Sequence, residues 1–355
     1  MKNILVNAFL EKNLGDDLFL KILFDRYPNV KWYIDTSNEE YEEIYKSYNN
    51  VDIIGGIIYR ICKKLKIEKI FLNKCDSLVF IGGSIFIQYN GSENLYEERK
   101  RQFLIFEKKP KFILGSNFGP YYDENFKVKN ELLFNESTDV CFRDKYSYNL
   151  FKTLNNVRVA PDIVFQLKPK NIKKIKNSIG ISIIDLDSRD ELKKYKNIYI
   201  NKIKEIVEQS IFNNKSITFF SFCEAQGDIK AINEVLNLID SKYLENIRIV
   251  NYIGNIEEFL EKFEEMECII GTRFHACILS QVFNQGLYPI VYSNKTYNVL
   301  KDIELDEQFM YIKDLEDLDV INVLKLINNN KIKDKNIFKD AEKQFEILDN
   351  YIRNN

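Results

Sequence analysis

Several residue types are scarce in this 355-residue chain, and their scarcity excludes whole classes of protein. There is one histidine and one tryptophan, and the six cysteines form no Cys-x-x-Cys pair. Zinc sites usually draw closely spaced Cys and His ligands, so the sequence predicts no metal site. Most of the cysteines stand in apolar stretches, which is typical of reduced core thiols in a reducing compartment rather than of a disulfide framework.

A strong charge of one sign and a long apolar run are also missing. The formal net charge is -2, so no overall field favours nucleic acid as a partner. The apolar opening from Ile4 to Leu10 is interrupted by Asn7 and followed by Glu11 and Lys12, which is too short for a signal peptide or a membrane span. We therefore expect a cytoplasmic protein that has no nucleic-acid partner.

What the chain does have is an alternation of short apolar runs with amphipathic stretches. The runs of strand length are 2–9, 32–35, 51–54, 77–81, 111–115, 139–142, 157–160, 178–184, 217–221, 247–250, 267–271 and 288–292. Stretches of helix length include 16–27, 39–48, 95–107, 144–154, 191–212, 226–240, 256–265 and 274–283. This alternation predicts an α/β fold whose sheets are mostly parallel and are covered by helices on both faces.

A segment rich in lysine and asparagine, 166–178, interrupts the alternation and contains Pro169. We interpret it as a linker. The predicted architecture is two Rossmann-like domains in series, residues 1–166 and residues 178–300. The remaining residues, 301–355, are predicted to be a helical segment.

In open parallel sheets, ligands bind beyond the carboxyl ends of the strands, and one such junction is unusual. A strand ends at Gly271, Thr272 is a plausible N-cap, and Arg273 and His275 follow in the predicted first helical turn. Cations are disfavoured at a helix N-terminus, whereas anions bind there readily. The pair therefore suggests a site for an anion. The alternative, a histidine bonded to a carbonyl and an arginine on a surface carboxylate, stays open at this stage.

A second junction, 138–147, places Arg143 where a strand passes into a helix. Asp144 is either the N-cap of that helix or a partner of Arg143, and a surface ion pair is an alternative to a functional role.

Glycine-containing turns also follow strands at 81–84 and 115–120, and a third, 13–17, opens a helix. None fits a G-x-G-x-x-G or P-loop pattern, so a tightly held dinucleotide or nucleoside triphosphate is not predicted. Asp16 and Asp17 suit the first turn of a helix.

Together these turns resemble the polysaccharide pyruvyl transferase family. The matching pieces, in family order, are Asn13-Leu-Gly-Asp-Asp17, Phe80-Ile-Gly-Gly-Ser84, Gly115-Ser-Asn-Phe-Gly-Pro120, Arg143-Asp-Lys-Tyr-Ser147, Ala160-Pro-Asp-Ile-Val164, Ile270-Gly-Thr-Arg-Phe-His-Ala276, and Pro289 through Tyr292 to Lys295. The Arg-x-His-Ala piece is the most diagnostic. The sequence departs from the family pattern at Ser84, where the family usually has a third glycine, and at the Gly115-Ser-Asn start of its turn.

The resemblance implies a GT-B-like fold and an enzyme that transfers the enolpyruvyl group of phosphoenolpyruvate to sugar hydroxyls, forming a pyruvate ketal in cell-surface polysaccharide synthesis. It implies that residues 1–166 form the acceptor side and residues 178–300 the donor side. It also implies that Arg143 and Arg273 hold the donor and that His275 acts as an acid. The residues it implies for substrate binding are Gly271, Thr272, Lys295, Gly82, Gly83, Asn13, Asp16 and Asp17. No cofactor or metal is implied. The acceptor would be a sugar or a lipid-linked glycan, and peripheral association with the inner face of the membrane stays open.

Two other functions remain alternatives. A GT-B glycosyltransferase would place Arg273 and His275 on the diphosphate of a nucleotide sugar. A non-catalytic family member would bind polysaccharide, although it would have no reason to keep cations at a helix start.

Overall fold

A computed structural model describes residues 1–89 and 91–353. The chain folds into two compact units. The first unit contains residues 1–10, 16–166 and 336–355, and the second contains 11–15 and 167–335. The described part of the chain has no helix with both the length and the apolar content needed to cross a bilayer.

The first unit is built on a parallel sheet with the strand order β3-β2-β1-β4-β5-β6-β7. Its strands are β1 (Asn3–Asn7), β2 (Lys31–Asp35), β3 (Val51–Ile54), β4 (Ser77–Ile81), β5 (Lys111–Ser116), β6 (Asp139–Phe142) and β7 (Val157–Val159). Every residue of β4, β5 and β6 is buried. Central parallel strands are covered on both faces, which explains why they appear in the sequence as continuous apolar runs.

Helices connect these strands. They are α1 (Leu14–Arg26), α2 (Glu40–Ile44), α3 (Ile57–Lys64), α4 (Lys69–Leu72), α5 (Ser92–Ile105), α6 (Glu124–Asn135) and α7 (Lys145–Phe151). The strand order steps outward from β1 in one direction and from β4 in the other. In such sheets the turns after the central strands form the ligand-binding edge.

The second unit has a parallel sheet of its own, in the order β10-β9-β8-β11-β12-β13. The strands are β8 (Ile175–Ser182), β9 (Ser216–Ser221), β10 (Ile247–Asn251), β11 (Met266–Gly271), β12 (Gly286–Val291) and β13 (Met310–Tyr311). The helices are α8 (Lys196–Phe212), α9 (Asp228–Leu236), α10 (Ile256–Glu264), α11 (Phe274–Val282), α12 (Asn294–Asp302) and α13 (Val320–Leu326). The predicted α/β fold with two mostly parallel sheets is confirmed, and each predicted strand coincides with one of β1–β12.

The C-terminal part differs from the single helical segment predicted for 301–355. Residues up to 335 belong to the second unit and include β13, whereas α14 (Asn336–Asp340) and α15 (Glu346–Arg353) belong to the first unit. Gln344 attaches this return to the first sheet, because its Nε2 donates to the carbonyl oxygen of Ala160 (2.7 Å) and its Oε1 accepts from the amide of Gly115 (3.0 Å). Polar side chains carry this attachment, and hydropathy patterning does not report them.

Candidate functional site

The first unit holds Arg143 in a buried polar cluster at the carboxyl end of β6. Only 4% of Arg143 is exposed. Its Nη1 donates to Asp162 Oδ2 (2.9 Å) and its Nη2 donates to Asn117 Oδ1 (2.6 Å). Asp162 is fully buried, and burial raises the pKa of its carboxyl group although Arg143 opposes the shift. The alternative of a surface ion pair is therefore wrong for Arg143.

This Arg143 cluster joins motifs that are far apart in the sequence. Asn117 comes from the turn after β5. Its backbone N–H donates to the carbonyl oxygen of Gly83 in the turn after β4 (2.7 Å). Ser116 Oγ donates to the carbonyl oxygen of Gly82 (2.9 Å). Asp162 comes from the Ala160-Pro-Asp piece that follows β7. The Arg143 cluster thus consists of Arg143, Asp162, Asn117 and Gly83, one from each of four turns.

Gly83 lets the guanidinium group lie directly on the backbone. A Cβ atom built at position 83 would lie 2.4 Å from Arg143 Nη1 and 2.6 Å from Cζ. Real Cβ atoms do not approach other atoms so closely, so any other residue would displace the arginine or the turn. Glycine is needed at position 83 because the buried guanidinium group of Arg143 lies where a side chain would begin.

We predict that Gly83→Ala displaces Arg143 and lowers the stability of the protein by about 1–3 kcal/mol, the usual cost of overpacking. Melting temperature and donor KM measured on one preparation test this, and both should worsen. Gly56→Ala is the matched control, because a Cβ at that position would meet nothing within 4 Å. A Gly83→Ala protein that matches the control in both measurements would show that the guanidinium group can move at no cost.

The two acidic residues of the 13–17 motif separate in the structure. Both lie in the first turn of α1, as predicted. Asp16 is half-buried, and its Oδ1 lies 3.8 Å from where a Cβ of Gly82 would be, so it belongs to the same edge of the sheet as the Arg143 cluster. Asp17 is fully buried and accepts a hydrogen bond from the hydroxyl of Tyr41 (3.0 Å). Asp16 therefore lies at the edge of the sheet that carries the Arg143 cluster, whereas Asp17 holds α1 to α2.

In the second unit, the start of α11 differs from the prediction. The helix begins at Phe274, and Arg273 occupies the N-cap position with an extended backbone. Thr272 is not the N-cap: it is fully buried, and its Oγ1 accepts a hydrogen bond from the hydroxyl of Tyr199 (2.9 Å). The amides of Thr272 and Arg273 both donate to Ser182 Oγ (3.1 Å each). The threonine is thus tied to the sheet, and His275 lies in the first turn as predicted.

Arg273 forms a buried pair with Asp228. Its Nε donates to Asp228 Oδ2 (3.0 Å), its Nη2 also donates to that carboxylate, and its Nη1 donates to Gln226 Oε1. Asp228 Oδ2 accepts in addition from the amides of Phe222 (2.9 Å) and Cys223 (3.1 Å). Burial raises the pKa of the Asp228 carboxyl group, and Arg273 opposes that shift. Only 6% of Arg273 is exposed, and Asp228 is fully buried. The alternative of an arginine paired with a surface carboxylate is therefore wrong.

Arg273 is one of three cations that act on Tyr292, and the sequence analysis identified this group only in part. The Cζ of Arg189 lies 4.9 Å from the centre of the Tyr292 ring, at the end of β12. Burial favours the neutral Tyr292 phenol, but Lys295, Arg189 and Arg273 together lower its pKa. We call Arg189, Arg273 and Lys295 the cationic cluster. Arg189 stands in an irregular Asp-Ser-Arg-Asp loop after β8, and no motif or periodicity in the sequence indicated it.

His275 packs against the backbone of the 13–17 motif, whose residues 13–15 belong to the second unit. A Cβ at Gly15 would lie 1.7 Å from His275 Nδ1, so only glycine fits there. The amide of Gly15 donates to Asn13 Oδ1 (3.1 Å), and the amide of Leu14 donates to the carbonyl oxygen of Phe222 (3.0 Å). Asn13 therefore helps to shape the turn that receives the imidazole.

The remaining predicted residues, Lys295 and Gly271, have different surroundings. Lys295 lies in the first turn of α12, within the cationic cluster. Gly271 packs on Cys277, since a Cβ there would lie 2.8 Å from Cys277 Sγ. Burial raises the pKa of the Cys277 thiol to about 12, which fits a core thiol.

Among residues 1–89 and 91–353, no group of three His, Cys, Asp or Glu side chains could hold a metal ion.

These two units, each built on a parallel sheet that is connected through helices, define a GT-B-like α/β protein. Solved structures of similar fold include a UDP-GlcNAc 2-epimerase from Methanocaldococcus jannaschii (TM-score 0.60, 15% identity, 98% of this chain and 99% of that chain covered). Another is the Escherichia coli ADP-heptose lps heptosyltransferase II (TM-score 0.51, 12% identity, 96% and 100% covered).

The family follows from a second comparison. Residues 13–294 match the polysaccharide pyruvyl transferase family, and the chain belongs to it. The amylovoran biosynthesis protein AmsJ of Erwinia amylovora is 21% identical, with 79% of this chain and 72% of that protein covered. The family prediction made from the glycine turns and the Arg-x-His-Ala piece is thereby confirmed, and the chain is a transferase of polysaccharide biosynthesis.

Proposed function

We propose that the protein transfers the enolpyruvyl group of phosphoenolpyruvate to two hydroxyls of a sugar acceptor, forming a pyruvate ketal in a cell-surface polysaccharide. The observation that carries the proposal is the start of α11, where a buried arginine precedes the only histidine of the chain, together with Arg189 and Lys295, which act with that arginine on the same phenol, Tyr292. A carboxylate and a phosphate need positive partners, and guanidinium groups bind both in bidentate fashion. We place this reaction in the cytoplasm.

In the proposed reaction, His275 delivers a proton to the methylene carbon of the donor. The adjacent carbon becomes an oxocarbenium-like centre, and one acceptor hydroxyl adds to it with loss of its proton. Phosphate leaves, and the second hydroxyl closes the ring and loses its own proton. Of the two hydroxyl protons released, one restores the proton that His275 gave to the new methyl group, and the other leaves on the phosphate. Histidine suits this step because its ordinary pKa lies near neutrality.

Arg273 is proposed to act as a donor ligand held in place by its partners. Asp228 and Gln226 already occupy several of its N–H groups, so the guanidinium cannot swing to meet the ligand. Such fixed orientation avoids reorganisation during the reaction and is a general source of electrostatic catalysis. We also propose that Arg143 in the first unit binds an anionic group of a substrate, and its fixed geometry there has the same consequence.

The sharpest test of donor identity uses Arg189. Its Nε is buried without a hydrogen-bond partner among the described residues, so the side chain contributes little to the fold through that atom. Phosphoenolpyruvate should raise the melting temperature of the parent protein and should do so much less for Arg189→Gln. Lys301→Gln, a change of an exposed cation on α12, is the matched control and should behave like the parent.

The same experiment separates the proposal from a nucleotide-sugar glycosyltransferase. Stabilisation by UDP, with none by phosphoenolpyruvate, would contradict the proposed donor. Phosphate release from phosphoenolpyruvate, followed across a panel of free, nucleotide-linked and lipid-linked sugars, then identifies the acceptor. A non-catalytic family member would release no phosphate with any of them.

Exhaustive chelation is expected to leave the transfer activity unchanged. The reason is that Arg189, Arg273 and Lys295 already supply the positive charge that the donor requires. Phosphate release is compared before and after dialysis against a chelator, with magnesium and manganese added back separately. Activity that is lost on chelation and restored by one of these ions would contradict the expectation.

A further inference from the structure

The first unit exposes an apolar helix face that the proposed reaction does not use. α3 follows β3, the edge strand of the sheet. Its exposed aliphatic side chains are Ile57 (70% exposed), Ile58 (70%), Ile61 (53%) and Leu65 (63%). Ile67, just before α4, and Ile70, within α4, continue the exposed surface. We call these six side chains and the cations among them the α3 face.

The helix presents its apolar side to solvent, which reverses the usual arrangement. At 3.6 residues per turn, Ile57, Ile61, Leu65 and Ile58 fall within an arc of about 100°. The opposite side carries Tyr59, which is buried. A helix that packs on a domain normally turns its apolar stripe to the core, so an outward stripe indicates a surface that something else covers.

The orientation of α3 is fixed by polar contacts on its inner side. Lys63 Nζ forms ion pairs with Asp35 (2.9 Å) at the end of β2 and with Glu98 (2.6 Å) on α5. Asp35 is largely buried, and Gln102 on the same helix α5 also donates to it (3.3 Å). Turning the isoleucines inward would break these pairs, so the exposed stripe is a stable feature of the unit.

The charges on this surface are of one sign. Arg60 and Lys64 flank the aliphatic arc along the helix, and Lys66 and Lys69 follow it, all of them exposed. The one acid between residues 55 and 75, Glu68, is buried and paired with Arg101 (2.5 Å). Exposed aliphatic side chains interleaved with unneutralised cations have the chemistry of a helix that lies in the interface of an anionic bilayer.

We propose that the α3 face docks the protein on a membrane surface that contains anionic lipids. The isoleucines enter the headgroup region, and Arg60, Lys64, Lys66 and Lys69 contact lipid phosphates. A protein interface is a poorer fit because lysine is depleted there, and a second copy would bring like charges together. Nucleic acid would leave the aliphatic side chains without a role, since the α3 face offers no exposed aromatic ring for stacking.

The α3 face lies at the same end of the parallel sheet as the Arg143 cluster. α3 begins beyond the carboxyl end of β3, and the turns that build the Arg143 cluster lie at the carboxyl ends of β4, β5 and β6 in the same parallel sheet. Docking would therefore bring the ligand edge of the first unit near the lipid surface. The inference stands whether or not the proposed reaction is correct, and its test uses no substrate.

The test is flotation of the full chain with vesicles of phosphatidylcholine alone or mixed with phosphatidylglycerol. We expect binding to the mixed vesicles only, and weaker binding as salt is raised. Lys64→Gln combined with Lys66→Gln should weaken it roughly 25-fold, at roughly fivefold per cation. Ile57→Gln with Ile61→Gln and Leu65→Gln should weaken it at least tenfold, an order-of-magnitude estimate from the apolar area withdrawn.

The matched control is Val128→Gln with Leu132→Gln, which changes two exposed aliphatic residues on α6 of the same unit. It should bind the mixed vesicles as the parent does. All variants change solvent-facing side chains, so each should keep the melting temperature of the parent. Equal binding to both kinds of vesicle, equal loss in the control, or no binding by the parent would overturn the proposal. So would a parent that is dimeric in solution and becomes monomeric in the α3-face variants.

Discussion

Replacing His275 with glutamine is expected to leave the protein folded and to lower turnover by roughly 10²–10⁴, the range for loss of a positioned acid. The imidazole belongs to the first turn of α11 and packs on Gly15, and it lies in the same unit as the cationic cluster that we propose binds the donor. An amide cannot supply a proton of suitable acidity. Turnover, donor KM and melting temperature measured on one preparation test this.

A comparison of two amides separates chemistry from structure at this position. Glutamine and asparagine place a hydrogen-bonding group near the positions of Nε2 and Nδ1. If His275 served only as a hydrogen-bonding group of the fold, one of these variants would keep normal turnover. The parent reaction run in D₂O should also place deuterium in the product methyl group. A stable, fully active His275→Gln protein would remove His275 from the mechanism.

Much of the fold could be predicted because the burial of both sheet faces marks the strands in the sequence. The runs 77–81 and 139–142 match β4 and β6 at both ends, since neither strand has a solvent-facing side. The start of α11 could not be predicted in the same way. Thr272 is an ordinary N-cap residue by its type, but Tyr199, which belongs to α8, takes its hydroxyl. A tertiary hydrogen bond of this kind leaves no local pattern.

The candidate site was predicted through its motifs, whereas the reasons for those motifs were not visible in the sequence. Gly83 and Gly15 appear as ordinary turn glycines, yet each makes room for a side chain from a distant segment, Arg143 and His275 respectively. The acidic partners Asp162 and Asp228 were missed as partners for the same reason. The sequence singled out only Asp162, because it lies in one of the motifs that match the family. Asp228 could not be distinguished in the sequence from the many acids that lie on the surface.

The Arg143–Asp162 pair provides the largest expected effect on stability. Removing one member of a buried ion pair leaves the other charge uncompensated and typically costs about 3–5 kcal/mol. Asp162→Ala should have this cost because arginine stays charged. Arg143→Ala should differ, because burial already raises the pKa of the Asp162 carboxyl group and the residue can take up a proton instead. Chemical denaturation of both variants and the parent, from pH 5 to pH 8, measures the difference.

The sign of the pH dependence follows from proton linkage. Without Arg143, the pKa of Asp162 in the folded protein rises further above its value of about 3.9 in the unfolded chain. Between those two values the folded state binds more protons than the unfolded state, so stability increases as the pH falls. The deficit of Arg143→Ala relative to the parent should therefore be smaller at pH 5 than at pH 8. Adding Asp162→Asn removes the titrating group and should remove this pH dependence. If the deficit of Arg143→Ala is the same across the range, Asp162 stays charged without its partner, and the pair is less isolated from solvent than its burial implies.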